Sequence, residues 1–287
     1  MAREPLNPEP SPLEGRWREG QSEARRKGWL LLPINMHLIQ KEPIMKNITR
    51  NWKLIGTLVV IILGLVMLEA AHAGSPMGPP VFPRDSVQFG RPYSEWAAEW
   101  WQWALSVPVS THPLFDSGDC SVGQSGPVFF LGGKFCSNIN PNCNPSVVTR
   151  TCSVPSGKAL FFPIVNVEDS ALEDPGKTLA ELRLVTQNII DGTADLSAEI
   201  DRVPIMDLKE RFRVQSPAFG YTLPADNLFN AIGEGPFSAG TYFAAVDDGV
   251  YLMAPPLSRG SHTIHFHGAF PVFNFSLDVT YTLIVAP

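Results

Sequence analysis

Apolar positions recur at helical spacing in residues 93–106 (YSEWAAEWWQWALS), with Trp96, Trp100 and Trp103 at i, i+4 and i+7 on one face of a helix. Ser94 is the expected N-cap, and Pro108 ends the segment. From Gly126 the pattern changes to short apolar runs bounded by turn residues, GPVFFLGG and KALFFPIV, which read as strands. NVEDSALEDP, starting at Asn166, reads as an acidic loop. Asp174-Pro175 sets the N-cap and first position of a second helix. Leu179, Leu182, Val185 (or Thr186) and Ile189 form its apolar face, and Gly192 ends it. Leu196, Ala198 and Ile200 alternate, and Asp201-Arg202 offers a turn. Phe212 and Val214 alternate again. Thr241 to Val246 and Val250 to Met253 flank Asp247-Asp248-Gly249, a hairpin signal. His262 to His267 and Phe275 to Val285 read as strands. Strands dominate without a βαβ rhythm, so the pattern predicts a mainly β fold, an antiparallel β-sandwich with two helical insertions.

The N-terminal pattern is different. Lys46, Arg50 and Lys53 precede Leu54–Leu68, fifteen residues without a charge, and Ala71-His72-Ala73 follows. A membrane span needs about 20 apolar residues, so residues 45–73 read as a signal peptide cleaved after Ala73. The alternative is an uncleaved anchor, the one route by which the chain would meet a membrane. Residues 1–44 are rich in Pro, Glu and Arg and lack apolar periodicity. They read as an over-extended frame ahead of a start at Met45, or as a disordered leader. Residues 74–287 remain as a single exported domain, secreted or periplasmic.

Charge sharpens this. Of the 22 Lys and Arg, ten fall in residues 1–73, and of the 28 Asp and Glu, seven do, leaving residues 74–287 with a net charge of −9. An acidic domain without a basic stripe is a poor nucleic-acid binder. The four cysteines, Cys120, Cys136, Cys143 and Cys152, lie within 33 residues. An even count in an exported chain reads as disulfides. Of the three pairings, Cys120–Cys152 with Cys136–Cys143 nested inside is favoured, because it staples one excursion onto its flanking strands. A four-thiolate zinc site lacks its short paired-cysteine knuckles.

PPLSRGSHTIHF followed by FSLDVTYTLIV resembles the closing segment of bacterial Ig-like β-sandwich modules, over the last ~50 residues. The resemblance implies a sandwich of Ig-like or jelly-roll type. More broadly, YSEWAAEWWQWALSVP, CSVGQSGPVFFLGG, CSVPSGKALFFPIVN and DDGVYLM resemble a group of uncharacterised secreted prokaryotic proteins. That resemblance implies export and no particular activity.

Three patterns carry candidate chemistry. In HTIHFHG, strand alternation puts His265 and His267 on one side with Thr263, and His262 on the other. An i, i+2 histidine pair suits copper, zinc or iron, and the ordinary alternative is a solvated sheet face. The string also looks like a multicopper-oxidase segment. That family's pattern needs about ten histidines, whereas residues 74–287 contain four. The cupin pattern fails because no Glu follows at the needed spacing. Trp101 lies off the main tryptophan stripe and is the expected one to reach a surface, as a platform for a glycan ring, with Glu95 and Glu99 on the same helix as an acid/base pair. Core packing is the alternative for all four tryptophans. Asn166, Glu168, Asp169, Glu173 and Asp174 offer hard oxygen ligands for calcium, or simply a wet loop. No nucleophile elbow or phosphate loop is present. The sequence therefore favours a non-catalytic protein that binds a glycan or cell-envelope component. The alternative is a mononuclear metal-dependent enzyme centred on His265 and His267, with His262 or Glu168 and Asp169 completing the ligand set.

Overall fold

The computed structural model describes residues 80–136 and 146–286. The leader, the signal segment and Cys143, hence the Cys136–Cys143 pair, lie outside them. The fold is mainly β. A two-strand ribbon, β1 (Val87–Gln88) and β2 (Arg91–Pro92), leads into helix α1 (Tyr93–Ser106). Then come β3 (Val128–Phe130), β4 (Ser146–Pro155), β5 (Ala159–Ser170) and α2 (Leu179–Asp191). The remainder is β6 (Ala194–Ile200), β7 (Val203–Pro204), α3 (Leu208–Phe212), β8 (Arg213–Gln215), β9 (Phe219–Leu223), α4 (Leu228–Ile232), β10 (Gly240–Ala254), β11 (Gly260–Phe270) and β12 (Phe275–Ala286).

One sheet runs β3-β5-β10-β8, with β9 on the first part of β10; the other runs β4-β12-β11-β6-β7. The sheets meet face to face through contacts such as Phe162 on Phe266, whose ring centroids lie 5.5 Å apart. Helix α1 packs on the opposite face of the first sheet, where Tyr93 meets Phe161 edge-on. That sheet is covered on both sides, which is why Ala159–Val165 is apolar without alternation. The second sheet has one wet face, so β11 and β12 alternate residue by residue.

Several expectations need correction. Pairing is mixed, since β4 runs parallel to β12 and β3 parallel to β5. The chain leaves β3, builds β4 in the other sheet and returns, so β5 arrives in the direction of β3. Two five-residue helices, α3 and α4, join the two foreseen. Pro92, not Ser94, is the N-cap of α1. Thr178 caps α2 through a capping box with Glu181, so Asp174-Pro175 lies in the preceding turn. The buried stripe of α2 is Leu182, Thr186 and Ile190, leaving Leu179 exposed.

The largest correction concerns Asp247-Asp248-Gly249, which is not a turn. All three residues sit inside the 15-residue strand β10. A Cβ on Gly249 would lie 2.6 Å from the Tyr251 ring and 2.7 Å from Asn166 Cβ, so the glycine marks close packing rather than a reversal. The first half of the acidic loop is likewise strand, because β5 continues through Asn166–Ser170. The Asp201-Arg202 turn forms as expected, with both residues at positive φ (50° and 66°), the geometry of a two-residue hairpin loop. The Cys120–Cys152 bridge is present, with Cα atoms 5.7 Å apart. No helix among the described residues is long and apolar enough to cross a membrane.

Candidate functional site

The tryptophan helix is a core element. Trp96, Trp100, Trp101 and Trp103 are all buried. Each indole N–H donates inward, to Gln88 O, Leu131 O, Asp247 Oδ1 and Val122 O respectively. Trp101, expected at the surface, is only 7% exposed and offers no flat platform. Its off-stripe position is explained by its partner: Asp247 lies beneath it, 2.7 Å from Nε1. Glu95 is exposed, and Glu99 forms an ion pair with Arg91.

The histidines are dispersed. His265 and His267 sit on the outer face of the second sheet, and each has its own partner. His265 Nε2 lies 3.0 Å from Asp278 Oδ1, and His267 Nδ1 donates to Asp195 O at 2.7 Å. His262 bridges Asp201 (2.6 Å) and the Ser258 carbonyl (2.8 Å). Burial works against its charge, but these two acceptors raise its pKa. Glu168 and Asp169 belong to the first sheet. Among the described residues, no group of three or more His, Cys, Asp or Glu is placed to hold a metal ion.

The structure instead brings together a carboxyl cluster that was only half visible in the sequence. Strand β3 pairs with only the first three residues of β5. Beyond them, among the described residues, β5 has a strand neighbour, β10, on one side alone. Along its free edge runs a cleft of about 520 Å³. Glu168, Asp169, Glu173, Asp174 and Glu234 line it, walled by Trp101, Phe135, Phe229, Ile232 and Phe273 and by Val185 and Ile189 of α2. An adjoining apolar cavity of about 420 Å³ shares Phe135, Ile232 and Phe273 and reaches Trp100, Ile164 and Leu277.

Glu168 and Glu173 are in hydrogen-bond contact, as are Glu173 and Glu234. Ser170 Oγ donates to Glu173 Oε2 at 2.5 Å and lies 3.0 Å from the Tyr221 hydroxyl. Burial, and then the Glu173 carboxyl, push Glu168 well above the usual carboxylate range. Burial pushes Glu173 up to about 8, with Glu234 adding to the rise against the contacts from Ser170 and Glu168. Burial and Asp174 raise Asp169 to about 6. Among the described residues, three carboxylate oxygens are buried with no hydrogen-bond partner: Glu168 Oε1, Asp169 Oδ2 and Asp247 Oδ2. Such oxygens are costly to leave unpaired.

The sequence matches no family model and no curated protein. Among solved structures it is similar to one titled "Structure of PbICP-C in complex with falcipain-2", with 12% identity over 55% of this chain and 98% of that one and a TM-score of 0.20. A likeness at that score carries no argument.

The acidic run at Asn166 signalled part of the cleft. Glu234 gave no signal, being a lone acid between glycines. Asp247 was hidden by the turn-like string around it.

Proposed function

We propose that this chain is an exported, non-catalytic binding protein that holds its ligand in the cleft along the free edge of β5. The cleft itself carries the reading: an aromatic-walled concavity of about 520 Å³, within the size range of small-molecule sites, with a few convergent polar groups. Export is supported by the basic, apolar and small-residue order of residues 45–73 and by the Cys120–Cys152 bridge, which suits an oxidising compartment. The long β11–β12 pair, in register over eleven residues, fits the closing strands of an Ig-like sandwich, and kinship with the secreted prokaryotic proteins rests on the sequence resemblance alone.

Two measurements test the proposal. Edman sequencing of the protein recovered from its producing cells is expected to begin at Gly74, and an intact residue 45–73 segment in the exported product sinks the cleavage assignment. The neutral naphthalene dye prodan is expected to bind 1:1 with blue-shifted emission. Val185→Trp fills the cleft from the half-buried face of α2 and is expected to abolish that signal. Binding that survives Val185→Trp, or no binding at all, removes the cleft from the account.

A further inference from the structure

Resting on the cleft reading above, we propose that the ligand is an amphipathic organic cation: a primary ammonium held among Glu168, Asp169, Glu173 and Glu234, with its apolar body along Phe135, Ile232 and Phe273. Charge comes first. The residues lining the cleft include five carboxylates and no Lys, Arg or His. The nearby Lys177 is paired with Asp174, and Lys134 at the apolar end is paired with Asp116 at 2.6 Å. Apart from Lys177 on Asp174, the acidic end has no countercharge of its own, and burial keeps Glu168 and Glu173 protonated in the free cleft, so an ammonium bound there displaces a proton.

Two buried oxygens at this end lack a donor. Asp169 is 5% exposed and its Oδ2 is unpartnered, and Glu168 Oε1 is unpartnered beside Glu173. Both residues line the cleft. An ammonium supplies three N–H donors and one positive charge, which meets both deficits together.

The walls select among cations. A metal ion of the calcium or magnesium type needs six or more oxygen ligands around it, and among the described residues no three acidic side chains are placed to hold one. Phe135 and Phe273 line the cleft with aromatic side chains instead, and aromatic rings attract organic cations. The adjoining, largely apolar cavity, whose lining shares Glu234 with the cleft, gives the rest of such a molecule somewhere to go.

Calorimetric titration of the purified protein at pH 7 with 2-phenylethylammonium, 2-phenylethanol, 3-phenylpropanoate and calcium chloride tests this. The ammonium is expected to bind 1:1 and at least tenfold more tightly than the alcohol, with no binding of the anion. Glu168→Gln and, as a second variant nearer the cleft mouth, Glu234→Gln are each expected to weaken the ammonium at least fivefold and leave the alcohol unchanged. Urea unfolding confirms that both variants are folded. An alcohol or carboxylate that binds as tightly as the ammonium overturns the proposal. So do calcium binding more tightly than the ammonium and ammonium affinity unmoved in both variants. Prodan separates the two levels: if it still binds, the cleft remains a ligand site and only the cation assignment falls; if it does not, the binding reading falls too.

Discussion

Arg213→Met is expected to destabilise the fold by about 3–5 kcal/mol, the range for breaking a buried ion pair from one side. Asp248 is completely buried in the middle of β10. Its two carboxylate oxygens are gripped by Arg213 Nε (2.9 Å) and Nη2 (2.8 Å), with Gln215 Nε2 at 3.0 Å. Arg213 in turn reaches Asp191 and the Gln187 carbonyl at the end of α2, so one guanidinium ties β8, β10 and α2 together. Methionine keeps the volume but leaves the Asp248 charge with one neutral donor. Adding Asp248→Asn to Arg213→Met is expected to recover a large part of the loss, giving a coupling of roughly 1–3 kcal/mol in a double-mutant cycle. Urea unfolding of the four proteins measures both quantities. A single-variant loss under about 1 kcal/mol, or no recovery in the double variant, would show that Asp248 is not held as a buried charge.

The second large effect is on the pH dependence of stability. Burial raises the folded pKa of Glu173 from 4.5 to about 8. Between these values the folded state holds a proton that the unfolded state has lost, so stability falls as pH rises through that window. Glu168 and Asp169, also raised, act in the same direction. His112 acts oppositely. Its Nδ1 accepts from Leu114 N and its Nε2 donates to Ala104 O. Burial holds its pKa at about 4, so its contribution is intact above about 6.5 and is lost as pH falls toward 4. Glu173→Gln keeps an acceptor for Ser170 and removes only the titration. The variant and the parent are expected to be equally stable at pH 4. At pH 8 the variant should be more stable by on the order of 3 kcal/mol. Urea midpoints at pH 4, 6 and 8 decide this, and a constant offset across all three would remove Glu173 as the source.

The adjacent aspartates also show where sequence reading stops. Asp-Asp-Gly has the residue types of a turn because these side chains and glycine tolerate tight backbone reversals. In β10 each aspartate has a separate reason to be in a strand. Asp248 answers Arg213, 35 residues away in sequence. Asp247 receives Trp101, 146 residues away, and Tyr251, and burial drives it toward its neutral form. Arg213 and Trp101 are both remote in sequence, so no local window contains the information that places the two aspartates. Local signals were reliable where the interactions that set them were local. The span of α1 follows from its tryptophan spacing, the Asp201-Arg202 turn from its two residues, and the end of α2 from Gly192. The acidic residues after Asn166 were visible as a cluster. Their placement on an edge strand, facing aromatic side chains from α1 and α4, depended on β3 being short, which composition does not announce. The histidine strand was a clear pattern with no convergence in space, since its alternation served a wet sheet face.

Strand β12 has a consequence for how the domain comes into being. It is an interior strand, paired with β4 over ten residues on one side and with β11 over eleven on the other. β4 therefore has no neighbour within its own sheet until residues 275–286 have been delivered, well over a hundred positions later in synthesis. As the chain is made, the residues ahead of β12 hold an incomplete second sheet with its apolar face uncovered. Contacts of such long sequence separation slow folding. The Cys120–Cys152 bridge joins segments that have both emerged by then, so oxidation can hold β4 beside the β3 region before its partner strand arrives.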